Sequence, residues 1–292
     1  MKYISTRGQA PTVDFAQAML SGLAPDGGLY LPETWPAADP ELARSGVPYA
    51  SVARSVLTTF AGTSLPAGTL DAAVARLVDR FRHQAVTPLV QLDGGLWLLE
   101  LFHGPTAAFK DLAMQLAASL MDAALAGTGD RLTLVTATSG DTGAAAVRAF
   151  AGADRIRLIV LHPEGRVSPV QRKQMTTVQA DNVLNLAVRG DFDDCQRLVK
   201  GLLAEESLRE RGRLSSVNSI NWARLAGQIP YYVTAGAALA GAAPRFVVPT
   251  GNFGDAFAGW AARRMGANVG GLVAAVNSND ALARVRAEGV YS

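Results

Sequence analysis

Five short apolar runs, each followed by a helical stretch, most constrain what this chain can fold into. The runs are RLTLVTA (131–137), IRLIVLH (156–162), NVLNLAV (182–188), RFVVP (245–249) and GLVAAV (271–276). Their length and β-branched residues are typical of buried strands. Alternation of such strands with amphipathic helices predicts an α/β fold with a parallel sheet covered on both faces. Ligands of these sheets bind at the carboxyl ends of the strands, so the strand-to-helix junctions are the places to search for a site.

The first part of the chain has a different pattern. It begins with MKYISTRG, continues through the helical TVDFAQAMLSGL and the turn-rich APDGGLYLPETWP, and then shows helical runs near 48–61 and 69–83. The segment GGLWLLELF (94–102) then predicts a strand that leads into a further helix. We therefore predict a small amino-terminal domain over residues 1–84 and a larger region over residues 85–292.

Composition excludes several functional classes. The 292 residues are 49% hydrophobic and 18% charged, with a net charge of +2 and no long run of either sign, which predicts a globular protein without a nucleic-acid partner. No apolar run approaches the roughly 18 residues of a membrane span, and the start lacks the apolar core of a signal peptide, so we expect a cytoplasmic protein. The lone Cys195 is predicted to be a buried structural thiol. Three widely spaced histidines give no metal motif.

Lys110, in HGPTAAFKDLA (103–113), occupies an unusual position in its predicted helix. If residues 109–125 are helical, a 100° step per residue places Lys110 on one face with apolar residues, namely Met114, Ala117 and Met121. The polar stripe of that helix lies elsewhere and consists of Asp111, Gln115, Ser119 and Asp122. Apolar surroundings and the positive end of the helix dipole both favour the neutral, nucleophilic amine. The alternative is a lysine whose stem covers apolar surface while its head reaches solvent.

Two strand-to-helix junctions are rich in glycine and small hydroxyl residues. TSGDTG (138–143) follows the first strand of the series, and TGNFG (250–254) follows RFVVP. Exposed amides at a helix start, together with the helix dipole, favour an anion there. The hydroxyl groups of Thr138, Ser139, Thr142 and Thr250 would add donors, although the same residues also serve as ordinary helix caps. Two such loops and a lysine amine suggest that two anionic groups are held near a nucleophile. A phosphate-bearing aldehyde such as pyridoxal phosphate would fit that arrangement.

Four long segments give these features a family context. ELFHGPTAAFKDLAMQ, TATSGDTGAAAV, SVNSINWARLAGQIPYY and VPTGNFGDAFAG together resemble threonine synthases of the bacterial type. These enzymes belong to the β-family, or fold type II, of pyridoxal phosphate enzymes. YISTRG and GLAPDGGLYLP resemble the amino-terminal domain of the same family. The resemblance implies a fold like the tryptophan synthase β-subunit, with two parallel-type sheets covered by helices and a small amino-terminal domain.

The resemblance also implies roles for individual residues. Lys110 matches the catalytic lysine that holds pyridoxal 5'-phosphate. The loop formed by Gly251, Asn252, Phe253 and Gly254 matches the one that binds the cofactor phosphate. The loop formed by Ser139, Gly140, Asp141 and Thr142 matches the one that closes on the amino-acid end of the substrate. Asn218, Ser219 and Asn221 either reach the site or simply cap a helix, and Arg166, Arg172 or Lys173 would supply a cation for the substrate phosphate.

The implied reaction is conversion of O-phospho-L-homoserine and water to L-threonine and phosphate, by γ-elimination and β-hydration. The chain departs from the family because the resemblance leads us to expect a further stretch after NDALARVRAEGVYS, with the group that faces the pyridine nitrogen. We therefore expect these residues alone to bind cofactor weakly and to turn over slowly or not at all. Two alternatives share the same motifs: a related β-family lyase acting on another phosphorylated amino acid, and a non-catalytic relative that binds an anionic metabolite.

Overall fold

The computed structural model describes residues 1–219, 221–278 and 280–289. The amino-terminal part contains a two-stranded antiparallel sheet and three α-helices. These elements are β1 (Tyr3–Ser5), α1 (Phe15–Ser21), β2 (Tyr30–Pro32), α2 (Tyr49–Ala61) and α3 (Thr69–Arg80), with a 3-10 turn at Pro40–Ala43 between β2 and α2. Asp14 caps α1 through a reciprocal pair of hydrogen bonds with Gln17, as its position before an apolar helical run favours.

The strand predicted within 94–102 is present between Leu96 and Leu99, and it is the second strand of an antiparallel hairpin. Its strands are β3 (Leu89–Asp93) and β4 (Leu96–Leu99), and they are joined at Gly94 and Gly95. Strand β3 was not predicted, although the Asp-Gly-Gly sequence at the start of the predicted segment is a strong signal for a hairpin turn. The long helix α4 (Lys110–Thr128) follows the hairpin.

A four-stranded parallel sheet in the order β7-β6-β5-β8 forms the centre of the larger region. Its elements in chain order are β5 (Leu132–Ala137), α5 (Asp141–Phe150), β6 (Ile156–Pro163), α6 (Pro169–Thr176), β7 (Val183–Val188), α7 (Phe192–Ala204), α8 (Glu206–Gly212) and β8 (Leu214–Ser215). Helices pack on both faces, as predicted. The parallel strands place their carboxyl ends at one edge of the sheet, where β5 leads into α5 and β6 leads into α6.

The remaining elements include a second parallel sheet. They are α9 (Trp222–Ala226), α10 (Ile229–Ala238), β9 (Arg245–Pro249), α11 (Gly254–Arg264), β10 (Gly271–Ala275) and α12 (Ala281–Glu288). Within the described residues this sheet has two strands, β9 and β10, which run parallel. The α/β class with two parallel sheets is thus confirmed, whereas α10 is a helix that the strand pattern did not predict.

Helix α4 is buried almost all round, which differs from the predicted division into polar and apolar faces. Asp111 and Gln115 belong to the expected polar stripe, yet they are 0% and 2% exposed. The reason is that α4 packs against α3, α5 and α9, so several of its faces meet protein. Gln115 accepts a hydrogen bond from Arg80 on α3 instead of meeting solvent.

One large apolar cluster extends through both predicted regions of the chain. Tyr3 near the start and Trp222 on α9 are both buried, and the Trp222 indole donates to the Tyr3 hydroxyl at 3.2 Å. The boundary at residue 84 stays a prediction. Cys195 is buried in α7, which confirms that prediction. Among the described helices we find no span long and apolar enough to cross a membrane, and the described His, Cys, Asp and Glu residues form no group that could hold a metal ion.

Candidate active site

The turn before α4 is fixed by a buried carboxylate. Asp111 accepts hydrogen bonds from the Thr106 backbone N–H at 2.7 Å and from the Thr106 hydroxyl at 2.8 Å. Burial raises the pKa of Asp111, while the Thr106 bonds oppose that shift. Gly104 lies against the same carboxylate, where a Cβ atom would stand 2.5 Å from an Asp111 oxygen. This turn therefore sets the direction from which Lys110 enters the first turn of the helix.

Lys110 points toward the carboxyl edge of the four-stranded sheet. Its side chain is 15% exposed, and its Nζ lies 3.1 Å from Asp141 Oδ2 and 4.6 Å from the centre of the Phe109 ring. The stem is largely buried, as predicted, and the contact of the amine with a carboxylate is a feature that the helical periodicity did not predict. That carboxylate belongs to Asp141, which is itself one of the predicted site residues.

The loop between β5 and α5 is tightly organised by Thr138. The Thr138 hydroxyl is buried and accepts hydrogen bonds from the backbone N–H groups of Gly140 at 3.0 Å and Gly143 at 2.8 Å. Gly140 has a φ of +152°, a conformation that L residues rarely adopt. Ser139 is exposed, and Asp141 and Thr142 are partly exposed. Thr138 therefore shapes the loop, whereas the other residues of the motif are left accessible.

Two glutamines of α6 that were not predicted as site residues connect these segments. The Gln171 amide donates to Asp141 Oδ1, the oxygen that does not face Lys110. The Gln174 amide donates to the Thr106 carbonyl at 3.0 Å. Ser168, which caps α6, donates to Gln171 Oε1 at 3.0 Å. The spacing of three in SPVQRKQ, directly after a strand that ends at this edge, is the signal that could have identified them.

The loop between β9 and α11 is open. Gly251, Asn252 and Phe253 are exposed, and Gly254 is buried at the start of the helix. The Phe253 N–H donates to the Thr250 hydroxyl at 3.0 Å, and Phe253 has a φ of +63°. A cavity of about 570 Å³ lies beside the loop and is lined in part by Thr250 and Gly251. The free approach to backbone amides at a helix start suits a phosphate group.

Helix α9 lies between the two halves of the site, because it packs against both α4 and α11. Asn221 caps it by accepting from the Ala223 N–H at 3.0 Å, and its amide donates to the Met19 carbonyl at 2.8 Å. Arg224 is buried and donates to the Val217 carbonyl at 3.0 Å. Burial lowers the pKa of Arg224 to about 10, so it remains charged at neutral pH. For Asn221 the structure therefore shows the capping arrangement.

The remaining predicted site residues have fewer direct contacts with Lys110 or the two loops. The Ser219 carbonyl lies 3.0 Å from where a Cβ of Gly254 would stand, so Ser219 lies against the start of α11. Arg166, Arg172 and Lys173 are all exposed on or next to α6. Thus the structure brings Lys110 directly to Asp141 and connects the 250–254 loop to them through α9. An amine beside one loop and an anion-binding helix start beside the other fit the aldehyde and phosphate ends of pyridoxal phosphate.

Comparison with known proteins gives matches along the whole chain. Residues 2–77 match the model of the threonine synthase N terminus, and residues 81–292 match the model of the pyridoxal-phosphate dependent enzyme family. Threonine synthase of Pseudomonas aeruginosa is 49% identical over 97% of this chain, which corresponds to 61% of that protein. The curated threonine synthase of Methylobacillus glycogenes is 41% identical, and the chain spans 64% of its length.

Solved structures agree with these matches. The crystal structure of pyridoxal phosphate-bound threonine synthase from Brucella melitensis is 51% identical and superposes with a TM-score of 0.94, over 100% of this chain and 64% of that one. Threonine synthase from Escherichia coli is 35% identical with a TM-score of 0.88, and this chain covers 68% of it. The chain thus spans less than two thirds of the length of the first curated relatives.

Proposed function

The chain belongs to the threonine synthase family of pyridoxal-phosphate dependent enzymes, and we propose that it converts O-phospho-L-homoserine and water to L-threonine and phosphate with pyridoxal 5'-phosphate as cofactor. The observation that carries this proposal is the Lys110–Asp141 contact at the carboxyl edge of the parallel sheet. It joins the one lysine that the sequence singles out to the one loop that the family resemblance assigns to substrate. The family matches support the reaction class.

Lys110 provides the amine that holds the cofactor, and the same amine, once released, carries protons at the α and β carbons of the substrate. Asp141 contacts that amine in the structure and can keep it directed at the edge of the sheet. When bound, the cofactor supplies a pyridine ring that takes up carbanion electrons. Because Gln171 holds the far oxygen of Asp141, the carboxylate is fixed on both sides.

Two separate places for phosphate fit a reaction in which cofactor and substrate each bring one. We assign Gly251, Asn252, Phe253 and Gly254 to the cofactor phosphate, because they form the turn that opens α11 and Gly251 lines the adjoining cavity. Ser139, Gly140, Asp141 and Thr142 then face the amino-acid end of the substrate. Arg166, Arg172 or Lys173 supplies the cation for the substrate phosphate, since all three are exposed on or beside α6. The cytoplasmic location is proposed on the sequence features alone.

The test is to add pyridoxal phosphate to the purified chain, record the visible absorption, reduce with borohydride and map the labelled peptide. We expect one label, on Lys110, and none in Lys110→Ala. Lys200→Ala is the matched control because that lysine is exposed on α7 and outside the proposed site, so it should keep the label. A label on another lysine, or an equal loss in both variants, would contradict the assignment. Release of phosphate and threonine from O-phospho-L-homoserine then tests the substrate.

A further inference from the structure

The edge of the four-stranded sheet opposite the candidate active site carries an unusual concentration of arginine. Because β5, β6 and β8 are parallel, their amino ends meet at this edge. A cavity of about 490 Å³ opens there. Five arginines line it: Arg131, Arg155, Arg157, Arg211 and Arg213. Two aspartates in the same lining, Asp154 and Asp181, leave the cavity with a positive balance, although the whole chain is nearly neutral.

Three of these arginines keep their charge available. Arg213 forms an ion pair with Asp130, and Arg211 donates to the Ser207 carbonyl at 3.0 Å. In the described part of the chain, no ion pair or side-chain hydrogen bond engages the guanidinium groups of Arg131, Arg155 or Arg157. These three therefore have all five N–H donors free for a ligand.

The strand register places the three free arginines together. Leu132 pairs with Ile156 and Thr133 with Arg157, and the Leu132 N–H donates to the Arg155 carbonyl at 2.9 Å. Arg131 and Arg155 directly precede β5 and β6, so the two arginines lie at neighbouring strand starts and line the same cavity. Arg157 is the second residue of β6 and lines the same cavity as Arg131 and Arg155. Like charges gathered in one cavity repel each other, so an anion bound among these arginines would relieve the repulsion.

We propose that this cavity binds the phosphoanhydride group of a small molecule, a pyrophosphate or triphosphate chain. Guanidinium groups match phosphate oxygens in charge and in bidentate geometry. Several of them, coming from two strand ends and from the segment before β8, suit a chain of phosphates better than a single one. The cavity size is that of a small-molecule site, and its lining contains no aromatic residue that would anchor a protein partner.

Calorimetric titration of the full chain with inorganic tripolyphosphate at about 0.15 M ionic strength tests the proposal, because free surface charges are largely screened under that condition. We expect saturable binding of one equivalent, weakened about tenfold or more in Arg155→Gln/Arg157→Gln because hydrogen bonds to charged groups are lost. The single variant Arg157→Gln is a second measurement on an exposed residue whose exchange should leave the fold intact. Arg189→Gln removes the same charge from an exposed residue outside the cavity and should bind like the parent chain.

The outcomes separate the possibilities. Tighter binding of adenosine triphosphate than of tripolyphosphate would identify a nucleotide as the source of the phosphate chain, and equal binding would identify the phosphate chain alone. Lack of saturation, or equal weakening in the cavity variants and Arg189→Gln, would overturn the proposal. Binding that survives Arg155→Gln/Arg157→Gln would also overturn it and would place the ligand at the opposite edge, at the phosphate sites of the proposed enzyme. The result does not depend on whether Lys110 is labelled.

Discussion

The two strand-to-helix turns of the candidate site begin from similar sequences, TSGDTG and TGNFG, yet the structure holds them in different ways. In the first turn a buried hydroxyl of Thr138 binds two backbone N–H groups, and Asp141 is held by Lys110 and Gln171. In the second, Thr250 binds one N–H and the next three residues are exposed. The same residue types therefore give a rigid turn in one place and an open one in the other.

The surroundings of the two strands explain this difference. Strand β5 lies between β6 and β8, and helices cover the sheet on both faces. Strand β9 has one described neighbour, β10, and side chains of this pair such as Val247 and Val273 are 65% and 40% exposed. A parallel sheet is most stable when both faces are covered. The local residues thus favour a turn at both places, and the packing around each strand determines how rigid that turn is.

The largest contrast is expected from a matched pair of glycine substitutions. Gly140→Ala should lower the free energy of unfolding by about 2–3 kcal/mol, because the φ of +152° strains an L residue and the new methyl group meets the Gln171 amide. Gly251→Ala should change it by less than about 0.5 kcal/mol, because nothing lies within 4 Å of the new atom and its φ is not positive. Urea unfolding measures both. Equal losses of unfolding free energy in the two variants would show that the two turns are equally rigid.

Gly251→Ala also tests the site independently of stability. The added methyl group would stand where we place the cofactor phosphate, so affinity for pyridoxal phosphate should fall even though the fold is unaffected. An unchanged affinity would exclude Gly251 from the phosphate site.

The next contrast compares the two threonines that shape the turns. Thr138→Val keeps the shape of the side chain but leaves two buried N–H groups without an acceptor, so we expect a loss of about 2 kcal/mol. Thr250→Val removes one acceptor at a half-exposed position where water can replace it, so we expect about 0.5 kcal/mol. Thermal unfolding of the two variants under one condition gives the comparison. A larger effect at Thr250 would show that the second turn is the more firmly held.

Much of the fold can be predicted from the sequence, because the signals for its strands, helices and turns are local. The strand over 156–162 is observed as Ile156–Pro163, and the helix predicted from residue 109 begins at Lys110, because β-branched runs and helical periodicity depend on neighbouring residues. The fold class and the two glycine-rich junctions were found in the same way. Strand β3 of the hairpin was not predicted, because it is short and most of its residues are exposed, so it lacks the pattern of a buried strand.

What the sequence does not show are partners that lie far apart along the chain. Gln171 and Asp141 are separated by 30 residues, and Gln174 and Thr106 by 68. Helical periodicity treats a polar residue such as Gln115 as solvent-facing, whereas its partner Arg80 lies 35 residues away on another helix. The ion pair between Lys110 and Asp141 likewise joins residues that lie 31 positions apart. Each depends on which elements the fold brings together, and single-sequence patterns do not contain that information.

A substitution at Gln171 tests whether the rigidity of the first turn serves Lys110. Gln171→Leu removes the amide that holds Asp141 Oδ1, so the carboxylate should no longer direct the lysine amine. We expect adduct formation with pyridoxal phosphate to slow about fivefold, with a stability loss of about 1 kcal/mol. Stopped-flow absorbance gives the rate. Gln91→Leu makes the same exchange in the exposed hairpin and should leave the rate unchanged, and a similar rate in both variants would assign Gln171 a purely structural part.

The smallest expected effect is at Phe253, where the open turn contains a residue in an unfavourable conformation. A φ of +63° disfavours phenylalanine, and asparagine tolerates this region better without adding the flexibility of glycine. The Phe253 side chain is 44% exposed, so its replacement removes only part of its apolar contact. We therefore expect Phe253→Asn to stabilise the chain by about 0.5 kcal/mol, in the opposite direction to Gly140→Ala. If the variant is more stable but binds pyridoxal phosphate more weakly, the strained Phe253 contributes to cofactor binding at the expense of stability. The open conformation of this turn then serves cofactor binding. If the variant is destabilised, the phenylalanine is held in place by packing, and the second turn is more rigid than its exposure indicates.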